Sequence, residues 1–150
     1  MTAVKVKAGT GDWIVVCDGR KALILENKGD QLYPDLRTRE VLEQESPPTR
    51  EQGADEPGRM QHSVGEVRSS VEQTDWHDRD EQVFLTKLAA LLDAAVQAGE
   101  TKSIVIVAPP RALGKIRPEY SIALKRAVST EVPKDLVNQP VHEIEKQLLR

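Results

Sequence analysis

The sequence predicts an α/β domain: a mixed five-stranded sheet with helices packed on it, in the order β-β-β-α-β-α-β-α. Three observations lead there. Two segments, Trp13–Cys17 ("WIVVC") and Ile104–Val107 ("IVIV"), are apolar without interruption and suit strands buried on both faces. Between them, Val83, Phe84, Leu88, Leu91, Leu92 and Ala95 recur at helical spacing. Turn-forming residues and prolines divide the remainder into short strands and short helices.

The first strand is "WIVVCD", Trp13–Asp18, and Asp18-Gly19 then reads as a hairpin turn in which glycine supplies a positive φ. "ALILEN" (Ala22–Asn27) returns as the second strand. After a turn at "KGD", Gln31–Glu45 ("QLYPDLRTREVLEQE") has few apolar residues and is interrupted by Pro34, which suits a partly solvated edge strand. Residues 46–75 read as a long polar loop of about 30 residues, where most connections have ~4–6. The main helix is expected to open near Asp75 as N-cap and to stop at Gly99.

"SIVIVA" (Ser103–Ala108) is the fourth strand, and "PPRALGKIRPEYSIALKR" holds one or two short helices broken at Pro118. In "AVSTEV", the fifth strand, alternation places Val128, Thr130 and Val132 on one face. Pro140 suits the first turn of a last helix with the stripe Val141, Ile144 and Leu148. Right-handed crossovers make the first, fourth and fifth strands parallel, with the two wholly apolar runs as central neighbours. This order of elements resembles ribonuclease H-like folds.

A chain of 150 residues is most simply one domain, residues 1–150, with a core that needs no disulfide. Hydrophobic residues make up 39% and charged residues 30%, which suits a compact core bearing a polar appendage. The net charge of −3 gives no single-sign field to recruit nucleic acid, although a local basic patch is compatible with it. Cys17, the single cysteine, reads as a small buried thiol. Neither a secretory h-region nor a run of ~20 apolar residues is present, so a cytoplasmic chain without membrane insertion is expected. The exposed third strand leaves pairing with a second copy open, although Arg37, Arg39 and Glu40 discourage it.

Two groups of residues are candidates for function. Asp18, Arg111, Lys134 and Asp135 each follow one of the parallel strands, so they should gather at the edge where open α/β sheets bind ligands. The competing reading makes Asp18 a hairpin residue, Arg111 a solvated cation and Lys134-Asp135 a turn. A two-metal nuclease would need several converging carboxylates. Asp18 and the helix residues Asp78, Asp80 and Glu81 offer some, but the fourth strand offers none, so no metal site is expected. His62, His77 and His142 lie far apart, and no nucleophile elbow or phosphate loop occurs, so no self-contained catalysis and no cofactor are expected.

The second group is the polar stretch itself. Pro57-Gly58 enforces a bend, Arg59 offers a planar fork for phosphate, and Gln61 and Ser63 are neutral hydrogen-bonding groups. Arg68 and Arg79 extend the basic side, while Glu51, Asp55, Glu56 and Glu66 offset much of it. A solvated loop without a ligand is the plain alternative.

The segments "WIVVCDGRKALILEN", "PGRMQHSV", "VAPPRALG" and "VPKDL" occur in the order seen in the bacterial host attachment protein family, which the chain resembles from about Trp13 to Leu149. That family in turn resembles the middle domain of the eukaryotic and archaeal class-1 release factor and of Pelota. In release factors the long loop carries Gly-Gly-Gln, which enters the peptidyl-transferase centre and helps water cleave peptidyl-tRNA. The corresponding residues here are Gly58-Arg59-Met60-Gln61, and Arg59-Met60 resist the backbone angles that paired glycines reach. The resemblance implies a binding or regulatory module contacting ribosome, tRNA or other RNA. A stand-alone peptidyl-tRNA or ester hydrolase using Gln61, and an attachment factor at the cell surface, are the alternatives it leaves.

Overall fold

The structure, a computed structural model, describes residues 5–44 and 60–149, and side chains in 5–44 and 77–149. Its elements are β1 (Trp13–Cys17), β2 (Lys21–Asn27), β3 (Leu36–Glu43), α1 (Met60–Gln97), β4 (Ile104–Val107), α2 (Pro110–Ile116), a 3-10 turn (Arg117–Glu119), α3 (Ile122–Ala127), β5 (Val128–Val132) and α4 (Val141–Leu149). They form one five-stranded mixed sheet in the order β3-β2-β1-β4-β5. The first three strands are antiparallel to one another, and β4 runs parallel to both β1 and β5. The two uninterrupted apolar runs are central neighbours, as expected, because only a strand covered on both faces can bury every side chain.

Period-two alternation sends those side chains into two cores. On one face, Trp13, Val15, Cys17, Ile104 and Ile106 meet Phe84, Leu85, Leu88 and Leu92 of α1, together with Leu113, Ile116 and Leu124. On the other face, Ile14, Val16, Val105 and Val107 meet Leu136, Val137, and Ile144 and Leu148 of α4. Val6 and Ala8 close that side, where the Val6 amide donates to the Leu148 carbonyl (2.8 Å). Each fully buried aliphatic side chain contributes roughly 1.5–3 kcal/mol.

Two one-residue shifts in the ladders change which core a strand serves. Ile104 lies opposite Val128, but Val105 lies opposite Thr130, so Ser129 is an extra residue. Val128 therefore packs with the α1 core while Val132 lies in the α4 core. The expectation that Val128, Thr130 and Val132 share one face is corrected by this bulge, since a one-residue slip exchanges faces. Likewise Ile24 pairs with Glu40 and Leu25 with Thr38, leaving Arg39 extra in β3. Arg39 lies over the Trp13 ring, 4.7 Å from its centroid. It also donates to Glu26 (3.1 Å) and Glu100 (2.9 Å).

The main helix begins at Met60, not near Asp75, and runs for 38 residues. Residues 60–75 of the expected polar loop are thus helical, and residues 46–59 lie outside the described residues. Among the described side chains of α1 the first buried one is Phe84. Apolar spacing marks only this packed part. Upstream, the sequence from Met60 has no proline and a single glycine, Gly65, so nothing in it breaks a helix already established in the packed part. At the other end Gly99 adopts φ 79° and the Glu100 amide donates to the Ala95 carbonyl (2.9 Å), a left-handed stop of the expected kind. No described helix is long and apolar enough to cross a membrane.

Candidate functional site

The C-terminal ends of β1, β4 and β5 define one edge of the sheet, and α1 passes over it near Asp78 and Glu81. Asp18 Oδ1 accepts from the amides of Arg20 (2.8 Å) and Lys21 (2.9 Å), closing the β1–β2 hairpin. Gly19 does not have the positive φ that the hairpin reading gave it; among the described residues only Gly11 and Gly99 do. Its role is close approach. A Cβ at Gly19 would stand 2.5 Å from Cγ of Glu81, so the turn and α1 touch only because no side chain intervenes.

Glu81 and Asp78, three residues apart on α1, face Arg111 at the start of α2. Arg111 Nε donates to Glu81 Oε1 at 3.1 Å, and Nη2 donates to Asp78 Oδ1. Lys115 Nζ stands 3.8 Å from the same Asp78 oxygen. The hydrogen bond to Glu81 first, and the charges of Glu81 and Asp78 next, raise the Arg111 pKa above its ordinary value. Gln82 Nε2 adds a bond to the Lys115 carbonyl (2.9 Å). The carboxylates that a nuclease would aim at metal ions are here aimed at a guanidinium. Among the described residues no group of three or more His, Cys, Asp or Glu side chains is arranged to hold a metal ion.

Lys134 and Asp135 follow β5 at the same edge. The Lys134 amide donates to the Val132 carbonyl (2.9 Å), and the turn it makes drops Leu136 and Val137 onto the α4 core. No ion pair among the described residues joins this pair to the Arg111 cluster. The topology thus brings all four edge candidates to one border, but side-chain bonds tie only Arg111 to α1. Of the polar-stretch candidates, Gly58 and Arg59 lie outside the described residues. Gln61 and Ser63 belong to the first turn of α1, and their side chains lie outside the described ones.

The model of bacterial archaeo-eukaryotic release factor family 12 matches residues 12–148. The chain belongs to that family. Among solved structures, the archaeal translation termination factor aRF1 is similar at 16% identity with a TM-score of 0.43. The alignment covers 90% of this chain and 34% of that one, so the present chain spans about a third of the archaeal factor. No curated protein matches.

This family 12 chain also holds polar clusters that its sequence did not announce. Along edge strand β5, a groove of about 820 Å³ is lined by Arg117, Pro118, Tyr120, Lys125, Ser129 and Thr130 among others. Beside it Glu131 accepts from the Tyr120 hydroxyl and from Arg117 Nε, both at 2.7 Å. Burial first, and the neighbouring carboxylate second, push the Tyr120 pKa up. Ser121 caps α3 by accepting from the Leu124 amide (3.0 Å) and bonds Asp93 of α1, and that bond holds the Asp93 carboxyl below its usual range. Partners eleven or 28 residues apart leave no local pattern by which spacing could find them. Cys17 is fully buried, and its thiol is pushed up to about 12 by burial and by Asp18, which removes it as a nucleophile.

Proposed function

We propose that this release-factor-like chain is a non-catalytic binding or regulatory module of the translation apparatus, contacting RNA of the ribosome or tRNA through Gly58–Ser63 at the head of α1. The observation that carries the reading is the family match across residues 12–148. Arg59 would meet a phosphate, Gln61 and Ser63 would supply hydrogen bonds, and Gly58 would permit the bend. The sheet-edge group supports a structural part for Arg111, whose guanidinium is already engaged by Asp78 and Glu81. Cytoplasmic location follows from this reading, and any part in host attachment is then indirect.

The test is co-sedimentation of the purified chain with bacterial ribosomes. Wild-type protein is expected to pellet in a salt-dependent manner, and Arg59→Glu with Gln61→Ala to weaken binding by about tenfold, or ~1.4 kcal/mol. Equal pelleting of both proteins, or none of either, removes the reading. Labelled peptide on loaded ribosomes is expected to stay bound at the level of buffer. Release that Gln61→Ala abolishes would replace the binding module with a hydrolase.

A further inference from the structure

At the C-terminal end of α1, one buried donor has nothing to donate to. Trp13 is 2% exposed, and among the described residues its Nε1 is the one buried side-chain nitrogen or oxygen without a hydrogen-bond partner. A buried indole N–H is normally paired, because the bond to water that burial removes has to be replaced. The group lying over the ring cannot replace it. That group is the Arg39 guanidinium, 4.7 Å from the ring centroid, which donates only. The carboxylates it brings to this corner, Glu26 and Glu100, accept from Arg39.

Trp13 also forms the floor of a cleft of about 620 Å³ between β3 and the end of α1, a volume within the range of small-molecule sites. The helix wall is Ala94, Ala95 and Ala98, whose short side chains leave width for an apolar body. A row of alanines is not in itself a site; the unpaired indole beneath it distinguishes this one. The charged lining is one cation, Arg39, and two carboxylates, Glu40 and Glu100. Since Arg39 is already held by Glu26 and Glu100, an anion entering here meets surplus negative charge and no free cation. The Glu40 carboxylate has no partner among the described residues, which leaves an acceptor at the rim.

We propose that this cleft binds a small neutral carboxamide or lactam. Its carbonyl oxygen accepts from Trp13 Nε1, its apolar body lies along the alanines, and its amide N–H donates toward Glu40. A carboxylate or phosphate would supply the same acceptor but with a charge that the lining repels. The site lies at the opposite end of α1 from Gly58–Ser63 and does not depend on that stretch.

Benzamide is the probe, titrated into nitrogen-15-labelled protein carrying Trp76→Phe, so that Trp13 gives the one remaining indole N–H signal. A saturable downfield shift of that proton is expected, with a Kd near ~1 mM for so small a ligand. Benzoate, which keeps the shape and adds a negative charge, should bind at least about tenfold more weakly. Toluene, which has no acceptor, should leave the proton where it is. Ala94→Leu fills the cleft from an exposed helix position and should weaken benzamide at least about tenfold, with circular dichroism showing the fold intact. Three outcomes overturn the proposal: no saturable shift up to the solubility of benzamide, benzoate binding as tightly, or Ala94→Leu without effect. A crystal structure in which another side chain of the protein accepts from Nε1 also overturns it.

Discussion

The two ends of the sheet use polar groups in opposite ways. At the end where β1, β4 and β5 finish, Arg111, Asp78, Glu81 and Lys115 satisfy one another at the surface, and the product is a joint between α1 and α2. At the other end, the buried Asn27 amide uses both donors and both lone pairs, and with Asp30 it holds the β2–β3 loop. The product is a pair of apolar side chains, Leu32 and Tyr33, facing water. A cluster of charges at the edge of an open sheet invites reading as a binding site, yet it is the internally paired end. The less conspicuous end holds the unused donor, Trp13 Nε1. The lesson is to ask what a polar network leaves unsatisfied before asking how many charges it contains.

Substitutions at the two ends should differ in size in a way that sharpens this contrast. Asn27→Ala is expected to be the most damaging, by roughly 3 kcal/mol, because it strands buried amides and carbonyls together. Urea unfolding would measure it, and a loss below ~1 kcal/mol would mean the loop holds its shape without the buried amide. Gly19→Ala should come next, at about 1–2 kcal/mol, since the new methyl drives Glu81 off the hairpin turn. A crystal structure of that variant with Glu81 unmoved would contradict the close-approach argument. Arg111→Ala should have the smallest effect of the three, because its ion pairs are solvent-exposed. Thermal unfolding that shows a far larger loss would make the Arg111 joint, and not Asn27, the stiffer end.

Much of the fold was legible because burial on both faces writes itself as unbroken apolar runs, and because Gly99 and Pro118 punctuate where the backbone demands it. The start of α1 was not, since a helix segment outside the packed part needs no apolar period and resembles a loop in composition. Ser129 and Arg39 are ordinary residues, and the bulges they form depend on what the neighbouring strands pair with, which no local signal records. Asp78, Glu81 and Arg111 were each visible as charged groups, but their meeting depends on a helix crossing a strand end some 30 residues away. Leu32 and Tyr33 read as the first residues of the third strand. Only the saturated amide of Asn27 shows that they form a separate turn.

The bulge at Ser129 has a mechanical consequence. Val128 is fastened into the layer under α1 and Val132 into the layer under α4, within a strand of five residues. A short strand riveted to both layers cannot let one of them peel away while the other stays shut, so the two halves of the interior are bound to open as one.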